Sequence, residues 1–154
     1  TAPDPSSDSN GPHTGAVGTP RPTSAVSTRI AVLGSEPEIY FYAHRRSATG
    51  YIYMYPLMET HPYAAQMQQQ FIDEIATNKP EYIIYVDYTY SWLGRPESPR
   101  VFDHWWQTYS ANLELVQTLD VKPPAEALES ETPDNPLPRG HLLLYRPRLT
   151  ANSR

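Results

Sequence analysis

Three acidic residues lie where predicted strands end, and aromatic side chains accompany them. Glu36, Glu59 and Asp87 follow the first three predicted strands in turn. Open α/β sheets bind ligands beyond the carboxyl ends of their strands, so these residues could line one crevice. Carboxylates accept hydrogen bonds from hydroxyl groups and aromatic rings stack on apolar sugar faces, which indicates saccharide binding. The predicted ligand-binding residues are Ser35, Glu36, Tyr55, Glu59, Asp87, Tyr88, Tyr90 and Trp92.

The same aromatic residues have a second interpretation as ordinary core residues. Five tyrosines lie within Tyr40–Glu59. A tyrosine commonly packs with its ring inside and its hydroxyl at the rim, and the sequence favours this role for most of them. Only Tyr55–Glu59 is expected to border a crevice. The residues expected in the core wall are Tyr40, Phe41, Tyr51 and Tyr53.

The motifs of common active sites are missing from the sequence. The "LGSEP" loop after the first strand has one glycine instead of the G-x-G-x-x-G pattern, and its Glu36 and Glu38 would repel a phosphate. None of the five histidines has H-x-x-x-H or H-E-x-x-H spacing, and no G-x-S-x-G elbow is present. We therefore predict no catalytic residue, no metal site and no cofactor.

The composition argues against binding to nucleic acid and against insertion into a bilayer. The formal net charge is -5, and no lysine- or arginine-rich run occurs. The sequence thus shows neither the basic footprint that nucleic acid requires nor an anionic-membrane patch. No apolar stretch approaches the roughly 20 residues that span a bilayer. We expect no nucleic-acid partner and no membrane insertion by this chain.

The chain divides into three segments by composition. Residues 1–27 are rich in Pro, Ser, Thr, Gly and Asp and have almost no large apolar residue. Such a segment cannot bury enough surface to offset its ordering entropy, so we predict a disordered tail or linker there. Residues 28–149 are predicted to form one domain, and residues 150–154 a disordered C-terminus.

Strand-like runs alternate with amphipathic helices in the domain. This order predicts an α/β fold, a three-layer Rossmann-like sandwich with a mostly parallel five-stranded sheet and helices on both faces. The last strand is expected to be antiparallel, and Pro147 indicates that it ends at an edge. The expected strands are 29–34, 50–55, 81–87, 113–120 and 141–146, and the expected helices are 36–45, 61–78 and 99–110.

Two helices carry more detailed predictions. Ser35 and Glu38 have the S-x-x-E spacing of a capping box at the start of the first helix. In the second helix the 3.6-residue period turns Phe71 and Ile75 towards the core and Gln68 away from it.

Several motifs, taken together, resemble a known family. "RIAVLGSEPEIYFYAHRRSATGYIYMYPLM", the later "KPEYIIYV" and a "SWL" loop resemble the soluble C-terminal portion of bacterial polytopic membrane proteins. These are the glycosyltransferase family 39 group, which is similar to dolichyl-phosphate-mannose protein mannosyltransferases. The resemblance spans about Arg29 to Asp120.

The resemblance implies a domain on the extracytoplasmic side of the cell membrane. Its partner would be the membrane portion of its own parent protein, a glycosyltransferase, and its role would be to position an acceptor or a saccharide without catalysing transfer. Catalysis in the family is attributed to acidic residues outside this chain, so no catalytic residue is carried over. The alternatives are a free-standing binding domain for a neutral saccharide, an enzyme that uses the carboxyl edge of the sheet, or a structural interaction module.

Overall fold

The computed structural model describes residues 28–122, 131–134 and 136–148. The segments predicted to be disordered, residues 1–27 and 150–154, lie outside the described residues. Two short 3-10 turns span Thr89–Ser91 and Ser110–Asn112. The elements are β1 (Arg29–Leu33), α1 (Glu38–Ala43), β2 (Arg46–Ser47), α2 (Tyr55–Met58), α3 (Ala64–Asn78), β3 (Tyr82–Asp87), α4 (Val101–Tyr109), β4 (Leu113–Val121) and β5 (Gly140–Pro147).

The strands form one mixed sheet in the order β2-β1-β3-β5-β4. β1 is parallel to β2 and to β3, whereas β5 is antiparallel to β3 and to β4. The α/β class and the antiparallel last strand are confirmed. The expectation of a mostly parallel sheet is wrong, because both neighbours of β5 run against it.

β5 lies between β3 and β4, and the expectation that it forms an edge is also wrong. It pairs with β3 from Ile83 to Asp87, and β4 is added outside it. An antiparallel return needs no crossover helix, which suits the helix-poor sequence before β5. Pro147 is tolerated because it is the last residue of the strand, where it lies opposite Leu113.

The main hydrophobic core lies between one face of the sheet and helices α2, α3 and α4. Phe71 of α3 is fully buried and packs edge-on against Phe102 of α4, with ring centroids 6.0 Å apart. Ile75, one helical turn later, is buried in the same cluster. The predicted inward positions of Phe71 and Ile75 are therefore confirmed.

A smaller core lies on the opposite face under α1. Ile39 and Tyr40 of α1 pack against buried strand residues that include Val32 and Val86. The Tyr40 hydroxyl accepts hydrogen bonds from the Val32 backbone N–H (2.9 Å) and from the Ser47 hydroxyl (3.2 Å). Helical residues therefore contact both faces of the sheet, and Tyr40 fixes α1 in place.

The strand predicted at residues 50–55 does not form. The chain makes only the two-residue β2 beside β1, and it lacks regular structure from Ala48 until α2 begins at Tyr55. Side chains replace ladder partners here: Glu74 accepts a hydrogen bond from the Gly50 N–H (2.7 Å), and Ser35 accepts one from the Met54 N–H (3.1 Å). The alternation of tyrosines therefore belongs to a loop held by side chains.

The first helix is shorter than predicted, and its capping box is absent. α1 begins at Glu38 with Pro37 as its N-cap and no capping side-chain hydrogen bond. Because a six-residue helix turns few side chains towards the sheet, Phe41 is 73% exposed. Tyr53 is 45% exposed in the following loop. The expected core positions of Phe41 and Tyr53 are thus wrong.

Candidate functional site

Ser91 ties together the loops that follow β1 and β3. Its hydroxyl donates to the Glu36 carboxylate (2.7 Å) and accepts from the Ser35 backbone N–H (2.8 Å). The Ser35 hydroxyl in turn accepts from the Met54 N–H (3.1 Å). The structure therefore brings Ser35 and Glu36 to the edge where β1 and β3 end, which we call the carboxyl edge.

Glu36 is part of this scaffold. Its carboxyl is half-buried, and burial raises its pKa above the ordinary value, with a smaller upward contribution from the nearby Glu38 charge. The hydrogen bond from Ser91 opposes the increase in pKa. Since that bond joins two loops, the first role of Glu36 is to hold them together.

Gly34 permits this close approach of the loops. A Cβ atom there would lie 2.5 Å from Val86 Cγ2 and 2.7 Å from the Ser91 hydroxyl oxygen, and it would also collide with Glu36. Any side chain at this position would separate Ser91 from Glu36 and Ser35, so the close contact of the two loops requires a glycine.

The predicted tyrosines form an outer aromatic rim. The Tyr55 hydroxyl donates to the Tyr90 carbonyl (3.0 Å), and its ring stacks on Tyr53 with centroids 6.5 Å apart. Tyr90 in turn packs edge-on against Tyr88 at 5.6 Å. Tyr55, Tyr88 and Tyr90 are thus neighbours, although they come from two separate loops.

The three predicted carboxylates occupy three different places. Glu36 belongs to the Ser91 network, and Glu59 lines a shallow depression of about 220 Å³ with His61 and Arg95. Asp87 is exposed at the end of β3, opposite His141 of β5. The carboxyl edge therefore does not present one acidic crevice.

A larger cavity of about 490 Å³ opens at the carboxyl end of β3. Three aromatic rings, Tyr85, Trp92 and Phe102, form its floor. Of the predicted site residues, only Trp92 lines this cavity. Its rim carries the charged side chains of Arg95, Arg100 and Asp103.

The floor of this cavity is rigidly held. The indole N–H of Trp92 donates to the Val86 carbonyl (2.7 Å), which fixes the ring orientation. The ring packs at 5.2 Å from Tyr85 and at 5.1 Å from Phe102, measured between centroids. A ligand would therefore meet a preformed aromatic surface, which lowers the entropy cost of binding.

Gln68 holds the loop that forms one wall of the cavity. Its side-chain amide donates to the carbonyls of Leu57 (2.7 Å) and Pro99 (3.0 Å), and its carbonyl accepts from the Phe102 N–H (2.8 Å). The expectation that Gln68 points away from the core is wrong, because the residue is fully buried. It satisfies loop and helix groups that would otherwise be buried without partners.

Ser98 adds a second tether to the same loop. Its hydroxyl donates to the Met58 carbonyl and accepts from the Arg95 N–H (2.8 Å). The loop between β3 and α4 is thereby bound to both α2 and α3, which positions Arg95 at the rim.

The charges at the rim favour an anionic group. Arg100 forms an ion pair with Asp103 (2.6 Å), whereas Arg95 has no carboxylate partner among the described residues. The cavity therefore presents one guanidinium outside any ion pair in the described segments, although Glu59 lies in the adjoining depression. A guanidinium can hold a carboxylate or phosphate through two parallel hydrogen bonds. This differs from the sequence interpretation, in which edge carboxylates disfavour an anion.

In residues 28–122, 131–134 and 136–148, no three His, Cys, Asp or Glu side chains are grouped to hold a metal ion. Across the same described segments, every helix is too short or too polar to cross a bilayer.

Sequence reasoning missed Tyr85, Arg95 and Phe102. Tyr85 lies in the predicted strand 81–87 and Phe102 in the predicted helix 99–110, where an aromatic residue indicates core packing before ligand contact. Arg95 could have been found, since "GRPESPR" directly continues the loop that supplied Trp92. Leu93, just before it, has a backbone φ of 50°, a strained value for a residue with a side chain and one that clusters at functional loops.

Comparison of the chain with profiles of protein families, with curated proteins and with solved structures finds no match. The resemblance to the family 39 glycosyltransferases therefore stays a prediction.

Proposed function

We propose that this chain is a non-catalytic saccharide-binding domain that positions an acceptor for a membrane glycosyltransferase. The cavity beside β3 supports the binding role, and the motif resemblance supports the accessory role on the extracytoplasmic side of the cell membrane. The parallel β2-β1-β3 half, with α3 crossing between β2 and β3, supports a Rossmann-like relationship for this part of the sheet.

The observation that carries the proposal is the aromatic floor of the cavity. Tyr85 and Trp92 are partly exposed and present ring surface at its base, and the buried Phe102 ring packs against Trp92. Arg95 and Asp103 supply polar groups at the rim. Apolar walls with a few fixed polar groups are typical of small-ligand sites. A pyranose ring fits this combination, because it has an apolar face for stacking and hydroxyls for the rim.

The rim charge favours a saccharide with an acidic substituent. Arg95 lies beside the cavity without an ion-pair partner in the described segments, so a uronate carboxylate or a sugar phosphate would gain a charge-assisted hydrogen bond. A neutral saccharide keeps the ring stacking and the hydroxyl hydrogen bonds but lacks this charge-assisted hydrogen bond. We expect affinities around millimolar for a single neutral sugar, and tighter for its acidic counterpart.

The same binding site would also suit a free-standing protein. The gene that encodes this chain distinguishes an accessory domain of a membrane protein from a free-standing binding domain. An open reading frame that encodes about ten or more apolar segments of roughly twenty residues upstream of this domain would support the accessory role. A short reading frame with a signal peptide would support a free-standing binding domain.

Calorimetric titration tests the proposed site. A disaccharide that contains a uronic acid should bind about tenfold more tightly than its neutral counterpart, because a hydrogen bond to a charged group contributes about 1.5–3 kcal/mol. Arg95→Gln should abolish this preference. Trp92→Ala should weaken the binding of both disaccharides. The matched controls are Arg139→Gln, an exposed arginine paired with Glu131, and Tyr42→Ala, an exposed tyrosine of α1.

No binding of either disaccharide would contradict the proposal. Binding that is insensitive to Trp92→Ala would place the ligand elsewhere and would equally overturn the site.

A further inference from the structure

A second surface lies at the opposite edge of the sheet, where β1 and β3 begin. Two adjacent aromatic residues of α1, Phe41 and Tyr42, are 73% and 76% exposed. Their rings pack edge-on with centroids 5.4 Å apart. Large aromatic side chains exposed side by side indicate an interaction site more often than isolated exposed apolar residues do.

The fold holds these rings outward. Ile39 and Tyr40, the preceding residues of the short helix, occupy the sheet-facing side. The Tyr40 hydroxyl accepts hydrogen bonds from Val32 and Ser47, so α1 is anchored through β1 and β2. Phe41 and Tyr42 therefore cannot both turn inward without displacing Tyr40.

Three arginines lie at the same edge. Arg45 and Arg46 follow α1, and strand pairing places Arg46 opposite Arg29. All three side chains are exposed, and none forms an ion pair within the described part of the chain. Like charges on paired strands repel each other, so a bound anionic surface would relieve an existing cost.

We propose that this arginine–aromatic surface, formed by Arg29, Phe41, Tyr42, Arg45 and Arg46, docks on an anionic lipid bilayer. Aromatic rings concentrate at the level of lipid headgroups, and arginines bind lipid phosphates while their apolar stems lie lower. The protein has a net charge of -5, so the attraction to anionic lipid is local to this surface, where the three arginines outnumber the neighbouring carboxylate of Glu81. Docking of this kind requires no insertion of the chain.

The shape and the charge of the surface favour a bilayer over a macromolecular partner. None of its residues lines the cavity at β3, the one at Lys79–Pro147 or the depression at Glu59. A surface outside these cavities suits a fluid interface, which needs no complementary groove. Nucleic acid typically engages about 6–10 phosphates, more than three arginines can neutralise.

The inference is independent of the cavity beside β3 and of its ligand. It also explains why no basic run marks the surface in the sequence, since the arginines come from β1 and from the segment after α1.

Vesicle flotation tests the inference with the full chain. Vesicles of equal parts phosphatidylglycerol and phosphatidylcholine should bind the protein, and pure phosphatidylcholine vesicles should not. Each arginine should raise the partition coefficient about fivefold, so Arg45→Gln with Arg46→Gln should lower it about 25-fold. Phe41→Ser with Tyr42→Ser should lower it about tenfold, and high salt should release the wild-type protein.

Matched controls lie towards the carboxyl edge. Tyr63→Ser removes an equally exposed tyrosine next to His61, and Lys122→Gln removes an exposed cation after β4. Both should bind vesicles like the wild type. Equal binding by the arginine and aromatic double variants would overturn the inference. Failure to bind anionic vesicles, or binding to a single-stranded oligonucleotide in their place, would overturn it as well.

Discussion

A single buried glutamine organises the wall of the candidate site. Gln68 bonds to Leu57, Pro99 and Phe102, which belong to two separate segments of the chain. The hydrogen bonds to Leu57 and Phe102 are buried and the one to Pro99 is partly buried, so removing the Gln68 amide would leave buried backbone groups without partners, which costs free energy. The shape of the cavity therefore depends on a residue that lies behind it.

Gln68→Ala should lower the free energy of unfolding by about 3 kcal/mol, because it creates a void and leaves the Phe102 N–H unsatisfied. Urea denaturation measures this value. Gln69→Ala is the matched control. Gln69 is exposed and bonds only to Asp73 (2.9 Å), so its loss should change the free energy of unfolding by less than about 0.5 kcal/mol. Equal effects of the two substitutions would contradict the role given to Gln68.

At the residue scale, periodicity predicted the buried apolar positions Phe71 and Ile75 of α3 but misplaced its polar residue Gln68. Phe71 and Ile75 follow the 3.6-residue repeat of α3, and both are buried. Gln68 lies three residues before Phe71 on the same helical face, but its polarity assigned it to solvent. Its burial depends on Pro99 and Phe102, which a local pattern does not include.

At the element scale, the predicted order of strands and helices was accurate except in one segment. Residues 50–55 alternate like a strand, yet β1 already has β3 on one side and the short β2 on the other. Both hydrogen-bonding sides of β1 are therefore occupied by other strands. The backbone N–H groups of Gly50 and Met54 donate instead to the side chains of Glu74 and Ser35. A pattern of period two cannot tell such a segment from a strand.

The end of α3 gives a prediction about an element boundary. Lys79 is its C-cap, with a backbone φ of 44° in the left-handed region, and its side chain is exposed. Lys79→Gly should raise the free energy of unfolding by about 1 kcal/mol, since glycine adopts this conformation without steric cost. Thermal or urea denaturation measures the change.

The control for this substitution has the opposite sign. Ala76→Gly replaces an exposed residue inside the same helix and should destabilise the protein by about 1 kcal/mol. A loss of stability in both variants would show that the left-handed cap carries no strain.

At the scale of the whole molecule, the α/β class followed from alternating elements, but the strand order did not. The return of β5 between β3 and β4 depends on a segment with no helical signal, which permits more than one pairing. The candidate cavity opens at the carboxyl edge, and Trp92 is the one predicted site residue that lines it. The cavity lies to one side of the predicted crevice because Ser91 closes the gap between the β1 and β3 loops.

The distribution of charge over the folded molecule cannot be read from the net charge. A net charge of -5 suggests a uniformly acidic protein. The fold instead gathers Arg29, Arg45 and Arg46 at one edge and leaves Arg95 facing a cavity at the other. Two separate anionic targets are therefore compatible with one acidic chain.

Nuclear magnetic resonance of the nitrogen-15-labelled chain, titrated with a uronate-containing disaccharide, tests the central claim most directly. Binding at the cavity should shift the indole N–H of Trp92 and the amides of Gly94, Arg95 and Ser98, because these groups line it or hold its loop. The amides of Arg45 and Arg46 should not move. Shifts centred on those two arginines, or no shifts at saturating disaccharide, would contradict a saccharide site beside β3.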